Sequence, residues 1–288
     1  MIRAVVQSMR PRQWTKNFFV FAGLLFTLDR YHPTADFIKV ALAFALFCIL
    51  SGGIYLFNDI QDANRDRKHP VKSRRPIASG ELSEGAARIA ALVLLIVGLT
   101  ASIALDVGFA GIAVLYVALL IAYSLFLKDV AILDVMTIAG GFVLRAAGGA
   151  MVIHVAISPW LLICTILLAL FLGLAKRREE LVRLKGASGQ RSCLAHYSVP
   201  FLDQLIGITA ASTIIAYALY TFFSQTGSSH PYMMATLPFV IYGVFRYLLL
   251  LHRNAGAESP ELLVLSDKPL LIDIVLWAAA CVLIVRLA

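Results

Sequence analysis

The chain has 288 residues, 60% of them hydrophobic and 15% charged, against about 25% charged in an ordinary soluble domain. A soluble fold of this size cannot cover so much apolar surface, which excludes a soluble enzyme, a disordered tail and a disulfide scaffold. The formal charge of +8 is explained better by where the charges lie than by nucleic-acid binding.

In chain order the apolar blocks fall at 15–29, 35–57, 83–104, 107–127, 130–153, 158–176, 199–225, 231–251 and 269–287. Each is long enough to cross a ~30 Å hydrocarbon layer as a helix. They predict an all-α membrane protein with nine transmembrane helices. Pro11, Pro33, Pro70, Pro159, Pro200, Pro231 and Pro269 lie at or just outside the blocks, where a missing N–H costs little. No repeat or low-complexity tract divides the chain, so residues 1–288 read as one integral-membrane domain. The opening MIRAVVQSMRPRQW lacks an apolar core with a small-residue cleavage site, so no removable signal is expected. Cys48, Cys164, Cys193 and Cys281 lack the spacing of a metal site or a disulfide framework.

Charge sets the orientation. With the N-terminus inside, the cytoplasmic segments are 1–14, 58–82, the turn near Lys128, 177–198 and 252–268. With Lys16 and Lys176 at their edges, they hold 19 of the 25 Lys and Arg residues. That bias predicts an N-in, C-out protein in the cell (inner) membrane. The external connections are short, whereas three internal ones are long and polar, so any site faces the cytoplasm. A transporter would more often carry its polar groups at the midplane, in interrupted helices.

The second block ends in Asn58-Asp59-Ile60-Gln61-Asp62-Ala63-Asn64-Arg65-Asp66. Continued as a helix, Asn58, Asp62 and Asp66 fall at i, i+4 and i+8 with Asp59 beside them, within about 100° of arc. Three carboxylates on one face repel each other unless a cation sits between them. Oxygen-only ligands suit Mg²⁺, which takes one or two carboxylates and completes its shell with water and substrate phosphates. A solvated acidic helix end is the plainer alternative. Acids stacked beside dense basic charge point instead to a metal-held diphosphate, whose departing charge the metal neutralises. Asn58, Asp59, Asp62 and Asp66 are the expected metal ligands.

Asn58–Asp66 resembles the N-D-x-x-D-x-x-x-D motif of the UbiA superfamily of intramembrane prenyltransferases. Lys72-Ser73-Arg74-Arg75-Pro76-Ile77-Ala78-Ser79-Gly80 resembles that superfamily's K-x-x-R-P-[LI]-x-S-G continuation. The resemblance covers essentially the whole chain. It implies a UbiA-type bundle with a cytoplasmic polar cap, Mg²⁺ as cofactor, and Asn58, Asp62 and Asp66 as the main ligands with Asp59 nearby.

Ordinary members carry a second acidic D-x-x-x-D motif after the sixth span and transfer an isoprenoid to an aromatic ring. Here that segment reads Lys176-Arg177-Arg178-Glu179-Glu180-Leu181, followed by Arg183, Lys185 and Arg191. The departure resembles the decaprenyl-phosphate phosphoribosyltransferase branch. So do Arg10-Pro11-Arg12-Gln13-Trp14-Thr15-Lys16-Asn17, Tyr123-Ser124-Leu125-Phe126-Leu127-Lys128, Gly141-Phe142-Val143-Leu144-Arg145-Ala146 and Leu265-Ser266-Asp267-Lys268-Pro269-Leu270. That branch joins carbon 1 of 5-phosphoribosyl diphosphate to a polyprenyl phosphate and releases diphosphate. The resemblance implies those substrates here.

The charge inventory agrees with it. Three anionic groups must be held, and Arg suits bidentate phosphate contacts; orientation and anionic lipid explain part of the same excess. The expected substrate-binding residues are Lys16, Asn17, Arg74, Tyr123, Lys128, Asp134, Arg145, Lys176, Arg177, Arg178, Glu179, Glu180, Arg191 and Lys268. Catalysis would fall to Asp62 and Asp66, with Lys72 and Arg75 compensating the leaving charge. Ribose carbon 1 would gain oxocarbenium character, and the lipid phosphate, already anionic, would attack with inversion and no general base.

Arg145 lies deep in the fifth block, where an ionisable residue is functional by default. Eleven residues separate it from Asp134, about 16 Å of helical rise. Asp134 is therefore expected near the cap and Arg145 in the cavity below, with a structural role for Arg145 as the alternative. Tyr197, Asp267 and Lys268 are further cap candidates, and His69, His196 and His252 read as solvated loop residues. Two other functions stay open: an aromatic prenyltransferase using an isoprenoid diphosphate, and a lipid-phosphate or anion transporter. Membrane lipids are expected partners, nucleic acid is not, and a homo-oligomer stays open.

Overall fold

The computed structural model describes all residues except 29–31, 69–70, 157, 184–191, 254–262, 264–265 and 288, and the side chains of Gln225 and Leu287. Arg191, Lys185 and His69 therefore lie outside the described residues. Among the described residues every regular element is helical. Helix α1 (Ile2–Ser8) precedes a 3₁₀ segment, Pro11–Phe21, that runs into α2 (Ala22–Leu25). Then come α3 (Thr34–Gln61), α4 (Ala63–Asp66), α5 (Glu84–Leu105), α6 (Val107–Leu125) and α7 (Leu133–Val152). The chain continues through α8 (Pro159–Arg183), α9 (Val199–Phe223), α10 (Gln225–Ser229), α11 (Leu237–Arg253) and α12 (Lys268–Leu287).

Among the described residues eight stretches are long and apolar enough to cross a membrane, seven of these helices and α11 taken with the 3₁₀ turn Pro231–Thr236 before it, and the chain is a multi-pass membrane protein. Outward residues such as Ile89, Leu92, Val93 and Ile96 on α5 are apolar and exposed, as lipid-facing positions are. The interior is built in two halves. In one, the 3₁₀ segment, α3, α6 and α7 pack around Val20, Phe47, Phe109 and Tyr116. In the other, α8, α9 and α11 pack around Phe171, Leu202, Ile206 and Tyr247.

The nine-span expectation meets eight, and the difference lies at 15–29. That stretch folds as 11 residues of 3₁₀ helix followed by four of α-helix, although 3₁₀ runs beyond three or four residues are uncommon. At ~2.0 Å per residue for 3₁₀ and ~1.5 Å for α, the 15 residues span about 28 Å.

This segment lies in a groove on α3 and α7 that only small residues permit. A Cβ on Gly149 would stand 1.7 Å from the Val20 carbonyl oxygen, and one on Gly23 2.9 Å from the Ala150 Cα. A second difference concerns α8, which continues to Arg183 rather than ending at 176. The basic run 176–180 is therefore helical, with Arg177, Arg178 and Glu179 buried, instead of lying in a loop.

Because the atom facing Gly149 is backbone, it cannot swing aside. Gly149→Ala is expected to cost about 3 kcal/mol, the upper end of overpacking penalties. Gly111→Ala, with nothing within 4 Å, is expected to be neutral. Thermal unfolding of both variants in detergent checks the pair.

Candidate active site

The acidic motif stands where α3 ends. Asp62 leaves the helix with φ −91° and ψ 0°, yet its amide still donates to the Asn58 carbonyl at 3.0 Å and its own carbonyl accepts from the Asp66 amide at 2.8 Å. The helical stacking of Asn58, Asp62 and Asp66 thus survives a slight break. Each carboxylate has a cation of the chain. Asp59 accepts from Arg10, and from Arg75 Nη1 at 3.0 Å. Asp66 accepts from the same Arg75 nitrogen at 2.6 Å, and Asp62 from Lys128 Nζ at 2.8 Å. Asp59 and Asp66 are buried.

A second ionic cluster forms where α7 begins and α8 ends. Arg177, 1% exposed, donates from Nε to Asp134, 0% exposed. It also donates to Glu180 at 2.8 Å and to the Tyr123 hydroxyl at 3.2 Å. Asp134 accepts from the Tyr197 hydroxyl at 2.9 Å, and that oxygen in turn accepts from the Ile132 amide at 2.6 Å. Burial pushes the Tyr197 phenol above its ordinary pKa, so it stays a donor. Arg178 gives Nε to Asp203 at 2.5 Å, while its buried Nη1 has no hydrogen-bond partner.

A third polar group lies in the middle of the bundle. Arg145 donates from Nε to Asn17 at 2.7 Å and from Nη2 to the Tyr116 hydroxyl at 2.7 Å, and stacks on the Tyr116 and Phe142 rings. Asn17 passes its own amide to Cys48 at 3.2 Å. Arg145 thus ties the 3₁₀ segment to α6 and α7 through neutral partners. It has no link to Asp134, as their separation along the helix requires.

Between the 3₁₀ segment on one side and α11 and α12 on the other lies an apolar chamber of about 530 Å³. Phe18, Phe19 and Phe21 face Phe171, Tyr217, Tyr247 and Trp277 across it. On α8 its lining reaches Leu172, five residues and about 7.5 Å of rise from Arg177. Arg246 and Asp267 join α11 to α12 through two hydrogen bonds of 3.1 and 2.8 Å, and Asp267 also accepts from the Leu270 amide. The Arg246 hydrogen bond holds the Asp267 carboxyl below the usual range.

The expected site residues thus separate. Asn58, Asp59, Asp62, Asp66, Arg75 and Lys128 come together. Tyr123, Asp134, Arg177, Arg178, Glu179 and Glu180 gather in or beside the second cluster, with Arg178 and Glu179 buried. Asn17 and Arg145 pair with each other. Lys16, Lys72 and Lys176 are half-buried, and Arg74 and Lys268 exposed. Arg10, Asp203 and Arg246 carry no expected role; the available signal for Arg246 is a charge inside a span.

The acidic motif fits a hard divalent cation by donor type. Asn58 keeps a buried carbonyl oxygen without a partner beside Asp62, and every candidate ligand is oxygen. Among the described residues no three acidic, His or Cys side chains form a ready-made metal site.

A helical bundle with an acidic helix end, a basic neighbour and a lateral apolar chamber is the frame of an intramembrane transferase. The model of the UbiA prenyltransferase family matches residues 17–266, and the chain belongs to that family. It is similar to decaprenyl-phosphate phosphoribosyltransferase of Mycobacterium tuberculosis, 30% identical over 97% of this chain and 93% of the relative. The enzyme of the same name from Corynebacterium glutamicum is 32% identical over 98% and 86%. Among solved structures, a UbiA homolog from Archaeoglobus fulgidus bound to GPP and Mg²⁺ superposes with a TM-score of 0.75 at 17% identity, covering 98% of this chain and 99% of that one. The chain is a transferase of the UbiA fold.

Asp134 and Arg177 seal each other's charge inside the bundle. Arg177→Met alone is expected to cost about 3–5 kcal/mol, because it strands the buried Asp134 charge; Asp134→Asn is expected to cost less, because Arg177 keeps Glu180. The double variant is expected to cost clearly less than the sum. Thermal unfolding of the three proteins checks this; additivity within about 0.5 kcal/mol would show the two residues to be uncoupled.

Proposed function

We propose that the protein transfers 5-phosphoribose from 5-phosphoribosyl diphosphate to a polyprenyl phosphate, releasing diphosphate. The reaction takes place at the cytoplasmic end of a single integral domain in the cell (inner) membrane. The observation that carries this reading lies in the buried ionic cluster at the end of α8. Arg177 is committed to Asp134 and Glu180, but Arg178 holds a buried, unpartnered N–H. An anion beyond the diphosphate satisfies it, and a 5-phosphate supplies one. The near-full-length similarity to decaprenyl-phosphate phosphoribosyltransferases points the same way.

Asn58, Asp62 and Asp66 would hold Mg²⁺, which when bound neutralises the diphosphate as it departs. Lys72, Arg75 and Lys128 compensate the remaining negative charge. Arg178 binds the 5-phosphate and so aims carbon 1 of the ribose. The apolar chamber takes the first isoprene units of the acceptor and brings its phosphate towards the sugar face opposite the diphosphate. Inversion at carbon 1 follows, and the lipid phosphate needs no general base. The charge asymmetry of the chain, 19 of 25 cationic residues in segments at this end, supports the orientation.

The same motif and chamber would also hold an isoprenyl diphosphate, so the test includes that donor. Purified protein with Mg²⁺, labelled 5-phosphoribosyl diphosphate and a polyprenyl phosphate is expected to yield labelled lipid. Asp62→Asn is expected to lower the rate by about a hundredfold or more, on the scale of losing one electrostatic stabiliser. No product here, with turnover of geranyl diphosphate and 4-hydroxybenzoate, would overturn the phosphoribosyl reading and leave an aromatic prenyltransferase.

A further inference from the structure

In the acidic motif, three carboxylates are already neutralised by three cations of the chain. Asp59 is paired with Arg10 and Arg75, Asp66 with Arg75, and Asp62 with Lys128. These pairs join distant parts of the chain, Lys128 coming 66 residues after Asp62 and Arg10 49 before Asp59. The fold therefore delivers counter-ions to a motif that its resemblance marks as a metal site.

A divalent cation arriving alone meets six groups whose charges sum to zero. To take an oxygen from Asp62 or Asp66 it must strand Lys128 or Arg75. Lys128 is the sharper case, because its side chain is 10% exposed and an uncompensated buried charge is strongly unfavourable. A diphosphate arriving alone meets the mirror problem, since the cations that would bind it are held by carboxylates. Arriving together, each ligand releases what the other needs. Both sets of ion pairs are then exchanged rather than lost.

Resting on the reading of this motif as a metal–diphosphate site, we infer that Lys128 and Arg75 are exchangeable counter-ions that make divalent metal and diphosphate bind as one unit. Before binding they neutralise Asp62 and Asp66. After binding they turn to diphosphate oxygens while the carboxylates turn to the metal. No covalent bond changes. When the reaction has released diphosphate, re-formation of the internal pairs competes with the product for Lys128 and Arg75 and favours its departure. Coupling of this kind is reciprocal, so each ligand raises the affinity of the other by the same factor.

The test measures binding, not turnover. Mn²⁺ binding to detergent-purified protein is followed by electron paramagnetic resonance without any phosphate. Labelled inorganic pyrophosphate binding is measured separately with and without Mg²⁺. Wild type is expected to bind Mn²⁺ alone weakly. Lys128→Met is expected to bind Mn²⁺ alone about tenfold more tightly, yet pyrophosphate with Mg²⁺ about tenfold more weakly, within the usual range of coupling. Arg75→Gln repeats the test at a second position, and thermal unfolding confirms that each variant is folded. Lys68→Gln removes an exposed charge two residues from Asp66 and is expected to change Mn²⁺ affinity less than about twofold, as a screened surface charge should. Unchanged Mn²⁺ affinity in both Lys128→Met and Arg75→Gln, or an equal gain in Lys68→Gln, would overturn the exchange. Pyrophosphate binding indifferent both to Mg²⁺ and to Asp62→Asn would overturn the metal–diphosphate reading beneath it.

Discussion

A charge enclosed by a helix bundle must find a partner, because the low-dielectric interior makes an unpaired one too costly. That constraint organises this protein. Asp134 and Arg177, both essentially inaccessible, bind each other and recruit Tyr197, Tyr123 and Glu180 around them. The acidic motif recruits Arg10, Arg75 and Lys128 from three separate stretches of chain. Arg145 meets the same demand with neutral oxygens and aromatic faces. Among the described residues, Asn58 Oδ1 and Arg178 Nη1 are two of the buried polar atoms left without a hydrogen-bond partner.

The helices carry these groups to one end. Chain direction alternates along the bundle, so the last turns of α3, α6 and α8 meet the first turns of α7 and α9. The 3₁₀ segment makes the other contribution. It brings Arg10 to the acidic motif and Asn17 to Arg145, then turns Phe18, Phe19 and Phe21 into the chamber. Its narrow cross-section and the bare backbone of Gly149 allow it to lie directly on α7. An ordinary α-helix there would be wider, and shorter for the same 15 residues.

Much of this was legible from residues alone. Apolar block length marks seven of the eight candidate spans to within a few residues, α8 running seven past its block, and the i, i+4, i+8 spacing of Asn58, Asp62 and Asp66 survives in the folded chain. What spacing cannot carry is partnership across the fold. Nothing local to Asp62 points to Lys128, nor anything near Arg145 to Asn17, 128 residues away. The 3₁₀ conformation was equally hidden, because its cause, the groove at Gly149, lies on another helix. The basic run of α8 looked like a loop by its polarity. It stays helical because Arg177 and Arg178 find carboxylates on α7 and α9.

In the proposed function one end of the bundle holds two phosphate groups of one donor, the diphosphate at the acidic motif and the 5-phosphate at Arg178. The most direct measurement is an experimental structure of the protein with Mg²⁺ and a non-reacting analogue of 5-phosphoribosyl diphosphate. The diphosphate is expected between Asp62, Asp66, Lys128 and Arg75, with Arg178 Nη1 donating to the 5-phosphate. An analogue bound with Arg178 still facing Asp203 alone, or seated away from the acidic motif, would contradict the account.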